Sequence, residues 1–145
     1  DAVQGGMPLL GICLGMQLLA ESSEERGSHR GLALIPGEVR RIPVPKTLRL
    51  PHVGWNSVSI LQPQPLFERI REGDAFYFVH SYHFVCDRAH VSSTTDYGVD
   101  VVAAVQRERV FGVQFHPERS QTNGLTLLGN FVAYVNTLRR STSSC

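Results

Sequence analysis

The sequence predicts a single layered α/β domain, and three observations carry that prediction. Short β-rich apolar runs are separated by turn residues, one long segment near the end repeats its apolar residues at helical spacing, and 145 residues at 42% hydrophobic content suit one core. A formal net charge of +1 without blocks of like charge gives no reason to expect nucleic acid. No apolar run approaches the roughly 18 residues that span a bilayer, and no signal peptide is visible. The expectation is a cytoplasmic protein with no membrane partner. Three cysteines, at 13, 86 and 145, form an odd set without CxxC spacing, which argues against a disulfide framework and a zinc site.

Pro8 to Ile12 reads as a short buried strand, and GMQLLAESSEE as a helix opening after a tight turn, so Cys13 falls at a strand-to-helix junction. Val39 to Ile42 and Ser57 to Leu61 are strand-like; the intervening PVPKTLRLPHVGWN carries three prolines and reads as a long loop. Pro65 opens a short helix, PLFERIRE, that Gly73 ends, and AFYFVHSYHFV follows as one aromatic strand. Val101 to Val105 and Val110 to Phe115, joined by QRER, read as a hairpin running into His116-Pro-Glu118. Leu125, Leu128, Val132, Val135 and Leu138 form the apolar stripe of a final helix. The domain is expected over residues 1–138, with a disordered tail over 139–145.

The chemistry concentrates in GICLGMQ and HPE. A thiol is mostly protonated at neutral pH, and a helix N-terminus with a nearby imidazole would stabilise its thiolate. The glycines flanking Cys13 allow a sharp turn that exposes sulfur, and the amide of Leu14 is positioned to stabilise an oxyanion. Residues two apart share one side of an extended segment, so Glu118 can orient His116. The expectation is a Cys13 sulfur near the His116 ring, within hydrogen-bond reach or slightly looser in a resting site. His80 and His83 with His90 do not read as a metal cluster, because alternation puts the first two on opposite faces; Cys86 reads as structural and Cys145 as exposed.

Together, GICLGMQ and GVQFHPE resemble the nucleophile elbow and the histidine–glutamate end of triad-type glutamine amidotransferases. PGEVRRI, LPHVGWN and YFVHSY narrow the resemblance, over roughly residues 5 to 135, to the glutaminase subunits of imidazole glycerol phosphate synthases. The resemblance implies a flavodoxin-like α/β domain without cofactor or metal. It implies hydrolysis of glutamine to glutamate and ammonia, and delivery of ammonia to a partner cyclase subunit in histidine biosynthesis. It makes Cys13 the nucleophile, His116 the base and Glu118 its orienter. It places Leu14, Gln17, Glu25, Ser81 and Tyr82 around glutamine, and Pro51, His52, Trp55, Asn56, Tyr77 and Arg119 at the cyclase.

The family also carries strands and a PGxG loop before its elbow, so a chain starting at Asp1 reads as N-terminally truncated. Two alternatives stand beside this reading. The amidotransferase part of guanylate or anthranilate synthesis would keep the triad without LPHVGWN or YFVHSY, and a truncated non-catalytic module would hold a partner without hydrolysing glutamine.

Overall fold

Strand β1 (Leu9–Ile12) ends at Cys13, and the one-turn helix α1 (Leu14–Gln17) follows at once in the computed structural model, which describes residues 2–143. The chain continues through β2 (Ser22–Ser23), β3 (His29–Arg30), β4 (Glu38–Arg41), β5 (His52–Ser57) and β6 (Ser59–Ile60). Then come β7 (Ala75–His80), β8 (Tyr82–Val85), β9 (Val91–Asp96), β10 (Asp100–Arg107), β11 (Val110–Val113) and the long helix α2 (Gln121–Thr142).

The main sheet has the order β1-β11-β10-β9-β6. β1 and β11 run parallel, with Ile12 opposite Val113, whereas β10 is antiparallel to both β11 and β9. Alternation along β11 sends Phe111 and Val113 into one apolar cluster with Phe76, Phe78, Phe115 and Leu127. Val110 joins a second cluster with Met16, Leu19, Ile35 and Phe84. The sheet is thus covered on both faces, each fully buried aromatic contributing about 1.5–3 kcal/mol relative to exposure. Smaller sheets, β3-β2-β4-β8 and β5-β7, flank it. Among the described residues no helix is long and apolar enough to cross a membrane.

Several local expectations change. The helix after Cys13 stops at Gln17 because loop amides take the carbonyls that would extend it: Leu32 donates to Leu18, and Leu34 and Ile35 to Leu19. Ser22 and Ser23 instead pair with β4. PLFERIRE forms turns, not a helix. Asn130 donates to the carbonyls of Leu66 and Glu68, and Arg69 adopts φ 63°, which together remove the helical ladder. The second half of the expected loop is strand β5, paired residue for residue with β7. AFYFVHSYHFV divides at Ser81 into β7 and β8, which belong to different sheets.

Helix α2 buries Gly124, Leu127 and Asn130 most deeply; of the predicted stripe, Leu128, Val135 and Leu138 are half-buried, while Leu125 and Val132 remain 71% and 57% exposed. Its approach to the segment after His116 fixes that face. A Cβ on Gly124 would fall 1.8 Å from the Pro117 carbonyl oxygen. The helix also continues through residues 139–142, correcting the expected tail over that stretch, while Cys145 lies outside the described residues.

Candidate active site

The turn at Cys13 is strained at the cysteine itself. Cys13 holds φ 52° and ψ −109°, left-handed for a residue with a Cβ. Its N–H donates to the Val113 carbonyl at 2.8 Å, and its own carbonyl accepts from Met16 and Gln17. The two flanking glycines are not equivalent. A Cβ on Gly11 would sit 2.5 Å from the Gly15 carbonyl oxygen, so strand and helix can meet only over a glycine, whereas one on Gly15 would meet nothing within 4 Å.

Cys13, Leu14, Gln17, Glu25, Ser81 and Tyr82 line one cavity of about 180 Å³, together with Val79 and His80. All of the predicted pocket residues therefore meet, although Glu25 arrives from the turn after β2 and not along a helix. Gln17 is held from two sides, its Nε2 donating to the Tyr82 carbonyl at 3.2 Å and to Gln114 Oε1 at 3.1 Å.

His116 stands at the end of the neighbouring parallel strand. Its N–H donates to the Tyr77 carbonyl, and the buried Ser120 hydroxyl donates to the His116 carbonyl while accepting from the Tyr77 N–H. Nδ1 lies 2.5 Å from Glu118 Oε1, and Nε2 is buried without a hydrogen-bond partner. With Nδ1–H donating to the carboxylate, neutral His116 presents Nε2 as an unprotonated acceptor. No hydrogen bond joins the Cys13 sulfur to this ring. The sulfur's side-chain neighbour is Gln114 Nε2 at 3.9 Å, because Cys13 and Gln114 leave paired strands at the same level and His116 lies two residues beyond.

Nor is the resting thiol activated. Burial pushes the Cys13 thiol above its ordinary range, and the Glu118 and Glu25 carboxylates act in the same direction. The Leu14 N–H and the Gln114 amide only partly oppose this. Such a thiol needs a base at the moment of attack.

The sequence pattern described as glutamine amidotransferase class-I matches residues 1–134. The chain belongs to the class-I glutamine amidotransferase family. This amidotransferase chain is 49% identical over 132 residues to the imidazole glycerol phosphate synthase subunit HisH of Moorella thermoacetica, covering 90% of this chain and 62% of that protein. It is 50% identical over 133 residues to the subunit of the same name from Pyrococcus furiosus, covering 90% and 67%. The chain thus spans a little under two thirds of the Moorella relative's length.

Solved structures resemble the amidotransferase chain in fold. A glutamine amidotransferase from Thermotoga maritima superposes with a TM-score of 0.61 at 19% identity, covering 97% of this chain and 52% of that one. The glutaminase domain of Trypanosoma brucei CTPS gives 0.61 at 21% identity, covering 91% and 62%.

Behind the amidotransferase pocket lies a buried histidine pair. His80 Nδ1–H donates to the Tyr82 carbonyl at 2.9 Å, so its Nε2 accepts from His52 Nδ1–H at 3.0 Å, and His52 Nε2 accepts from Asn56 Nδ2 at 3.2 Å. This network requires both rings neutral. His52, expected at a partner surface, is buried and stacked between Phe78 and Tyr97. Asn56 is likewise occupied, donating also to the Asp96 carbonyl. Among the described residues no group of three or more His, Cys, Asp or Glu side chains is placed to hold a metal ion.

Burial, together with the neighbouring His52, His83 and His116, lowers His80 to about 4 despite its hydrogen bond to Tyr82. The unfolded chain binds a proton near pH 6.5, the folded one only near 4. The contribution of neutral His80 is therefore complete above pH 6.5 and is lost as pH falls towards 4, amounting to about 3 kcal/mol. Denaturant titrations across that range are expected to show the loss, and His80→Gln should flatten it. An equally steep dependence in the variant would remove His80 as its source.

On the opposite side, Trp55 and Tyr77 face each other across β5 and β7, with ring centroids 6.1 Å apart, and the Arg119 guanidinium lies 4.3 Å from the Tyr77 centroid. Trp55 is 49% exposed and Val53, on the same face, 55%. Pro51 is also exposed. Trp55 is therefore a surface residue and not part of the core.

Proposed function

We propose that this chain supplies the glutamine-hydrolysing chemistry of a two-subunit synthase. The reading rests on one observation above others: the strained Cys13 elbow opens into the cavity that gathers Leu14, Gln17, Glu25, Ser81 and Tyr82. Cys13 Sγ attacks the side-chain carbonyl carbon of glutamine while His116 Nε2 takes the thiol proton, and the Leu14 N–H supports the oxyanion. Collapse breaks the C–N bond, and His116 returns its proton to the departing ammonia. Water activated by the same ring then hydrolyses the thioester to glutamate. Glu118 holds the ring in the required tautomer throughout.

The receiving partner is a cyclase subunit that makes imidazole glycerol phosphate and aminoimidazole carboxamide ribotide in the cytoplasm; identity to subunits named for an imidazole glycerol phosphate synthase supports the first of these products. Likeness to the Thermotoga amidotransferase at 19% identity supports the fold only. The test is to supply amide-labelled glutamine to the complete protein with its cyclase and the nucleotide substrate. Label is expected in the imidazole product. Glutamate formation with the label released as free ammonia and none in the imidazole product would leave a glutaminase serving some other acceptor.

Trp55, Tyr77 and Arg119, with Pro51 beside them, are the proposed docking face. His52 is not part of it, because its ring is enclosed. An exposed aromatic braced by a neighbouring ring and a guanidinium suits an interface anchor. Trp55→Ala is expected to weaken cyclase binding by about 1–3 kcal/mol while Cys13 stays reactive towards alkylation. Titrating cyclase into both proteins measures it. Unchanged affinity would move the interface elsewhere.

A further inference from the structure

We propose that Gln114 is a positioning residue whose side-chain amide sets the direction of the Cys13 sulfur before glutamine arrives. The inference rests on Cys13 being the nucleophile. Gln114 has no exposed surface, and its backbone N–H is tied to the Ala103 carbonyl at 2.8 Å within the hairpin. A primary amide is costly to bury unless its groups are bonded. Its orientation follows from its neighbours. Gln17 Nε2 can only donate, and it reaches both the Tyr82 carbonyl and Gln114 Oε1, so the oxygen of Gln114 must face Gln17. Gln114 Nε2 is then left facing Cys13 Sγ at 3.9 Å.

The direction of donation has a chemical consequence. A sulfur that accepts from Gln114 keeps its own proton free for a base, and the same N–H favours the thiolate when that proton leaves. His116 Nε2, buried and without a hydrogen-bond partner, is such a base. The amide chain from Tyr82 through Gln17 to Gln114 also joins the wall of the pocket to the nucleophile. Side chains contacting glutamine are therefore mechanically continuous with the group that holds the sulfur.

Two substitutions separate positioning from packing in the complete natural protein. Gln114→Met keeps the length and removes the donor. Gln114→Glu keeps the shape and the acceptor for Gln17 but, ionised, cannot donate to sulfur and also disfavours the thiolate by its charge, so its effect should exceed that of the neutral Met variant. In both, alkylation of Cys13 by iodoacetamide at neutral pH is expected to slow, roughly 5- to 10-fold for Gln114→Met and more for Gln114→Glu, with its inflection moved to higher pH. The kcat for glutamine should fall by a similar factor with KM little changed. Wild-type alkylation profiles and kcat in both variants would overturn the proposal.

A second measurement needs no altered core. With isotope-labelled glutamine side chains, the Gln114 amide resonance of the unsubstituted protein is expected to move as the Cys13 thiol titrates; a resonance indifferent to that titration overturns the assignment. Glutamine hydrolysis by Cys13→Ala would instead remove the nucleophile reading, which is a different failure.

Discussion

Replacing Cys13 by alanine is expected to lower glutamine-dependent turnover by on the order of 10⁴-fold or more, while leaving ammonia-dependent synthesis by the proposed cyclase partner intact. The backbone at Cys13 is held at φ 52° by hydrogen bonds on both sides, from Cys13 N–H to Val113 and from Met16 and Gln17 to the Cys13 carbonyl. Such a conformation costs about 1–3 kcal/mol for a residue with a Cβ, and a glycine would relieve it. A position retained for packing alone has no reason to carry that strain with a cysteine. Cys13→Gly should therefore lose hydrolysis as completely as the alanine variant without losing stability. Parallel assays with glutamine and with ammonium, alongside denaturant titrations, measure both parts. Equal loss with the two nitrogen sources would make Cys13 a structural residue.

Much of this site was legible along the chain. An elbow cysteine followed one helical turn later by Gln17, and a histidine two residues from a glutamate at a strand end, are local patterns that survive any tertiary arrangement. What was not legible depended on register between strands. Gln114 reads as an ordinary polar position in a β run until β1 and β11 pair and bring it level with Cys13. His52 reads as a loop residue until β5 pairs with β7 and sets it opposite His80. Ser120 carries no signal of its own, yet its hydroxyl fastens His116 to Tyr77.

β9, VSSTTD, leaves no trace in the hydrophobic pattern because its buried side chains are small and polar, giving no apolar alternation to read. Helix lengths are hidden for a related reason. Whether the carbonyls of Leu18 and Leu19 continue a helix or accept from a loop is decided by residues 32–35, well away in sequence. The final helix shows the same dependence, since the close approach of Gly124 to Pro117 sets its most deeply buried face, which its apolar stripe alone does not reveal.

Glu118→Gln is expected to reduce kcat by on the order of 10²- to 10⁴-fold with little change in KM for glutamine, and the reason is tautomeric. Glu118 Oε1 can only accept, so at 2.5 Å it keeps the proton of neutral His116 on Nδ1 and leaves Nε2 able to take the thiol proton. A glutamine in its place can donate from its amide to Nδ1, which moves the ring proton to Nε2 and makes that nitrogen a donor instead of an acceptor. The carboxylate also stabilises the imidazolium that forms once the thiol is deprotonated. That support matters more here because burial leaves the resting Cys13 thiol protonated, so the whole transfer falls to His116. Glu118→Ala should be less harmful than Glu118→Gln, since it releases the tautomer instead of imposing the wrong one. Measuring kcat, KM and thermal stability for both variants decides the matter. A glutamine variant as active as the wild type would show that Glu118 does not set the tautomer of His116, and the third member of the triad would have to be sought among other groups around Nδ1.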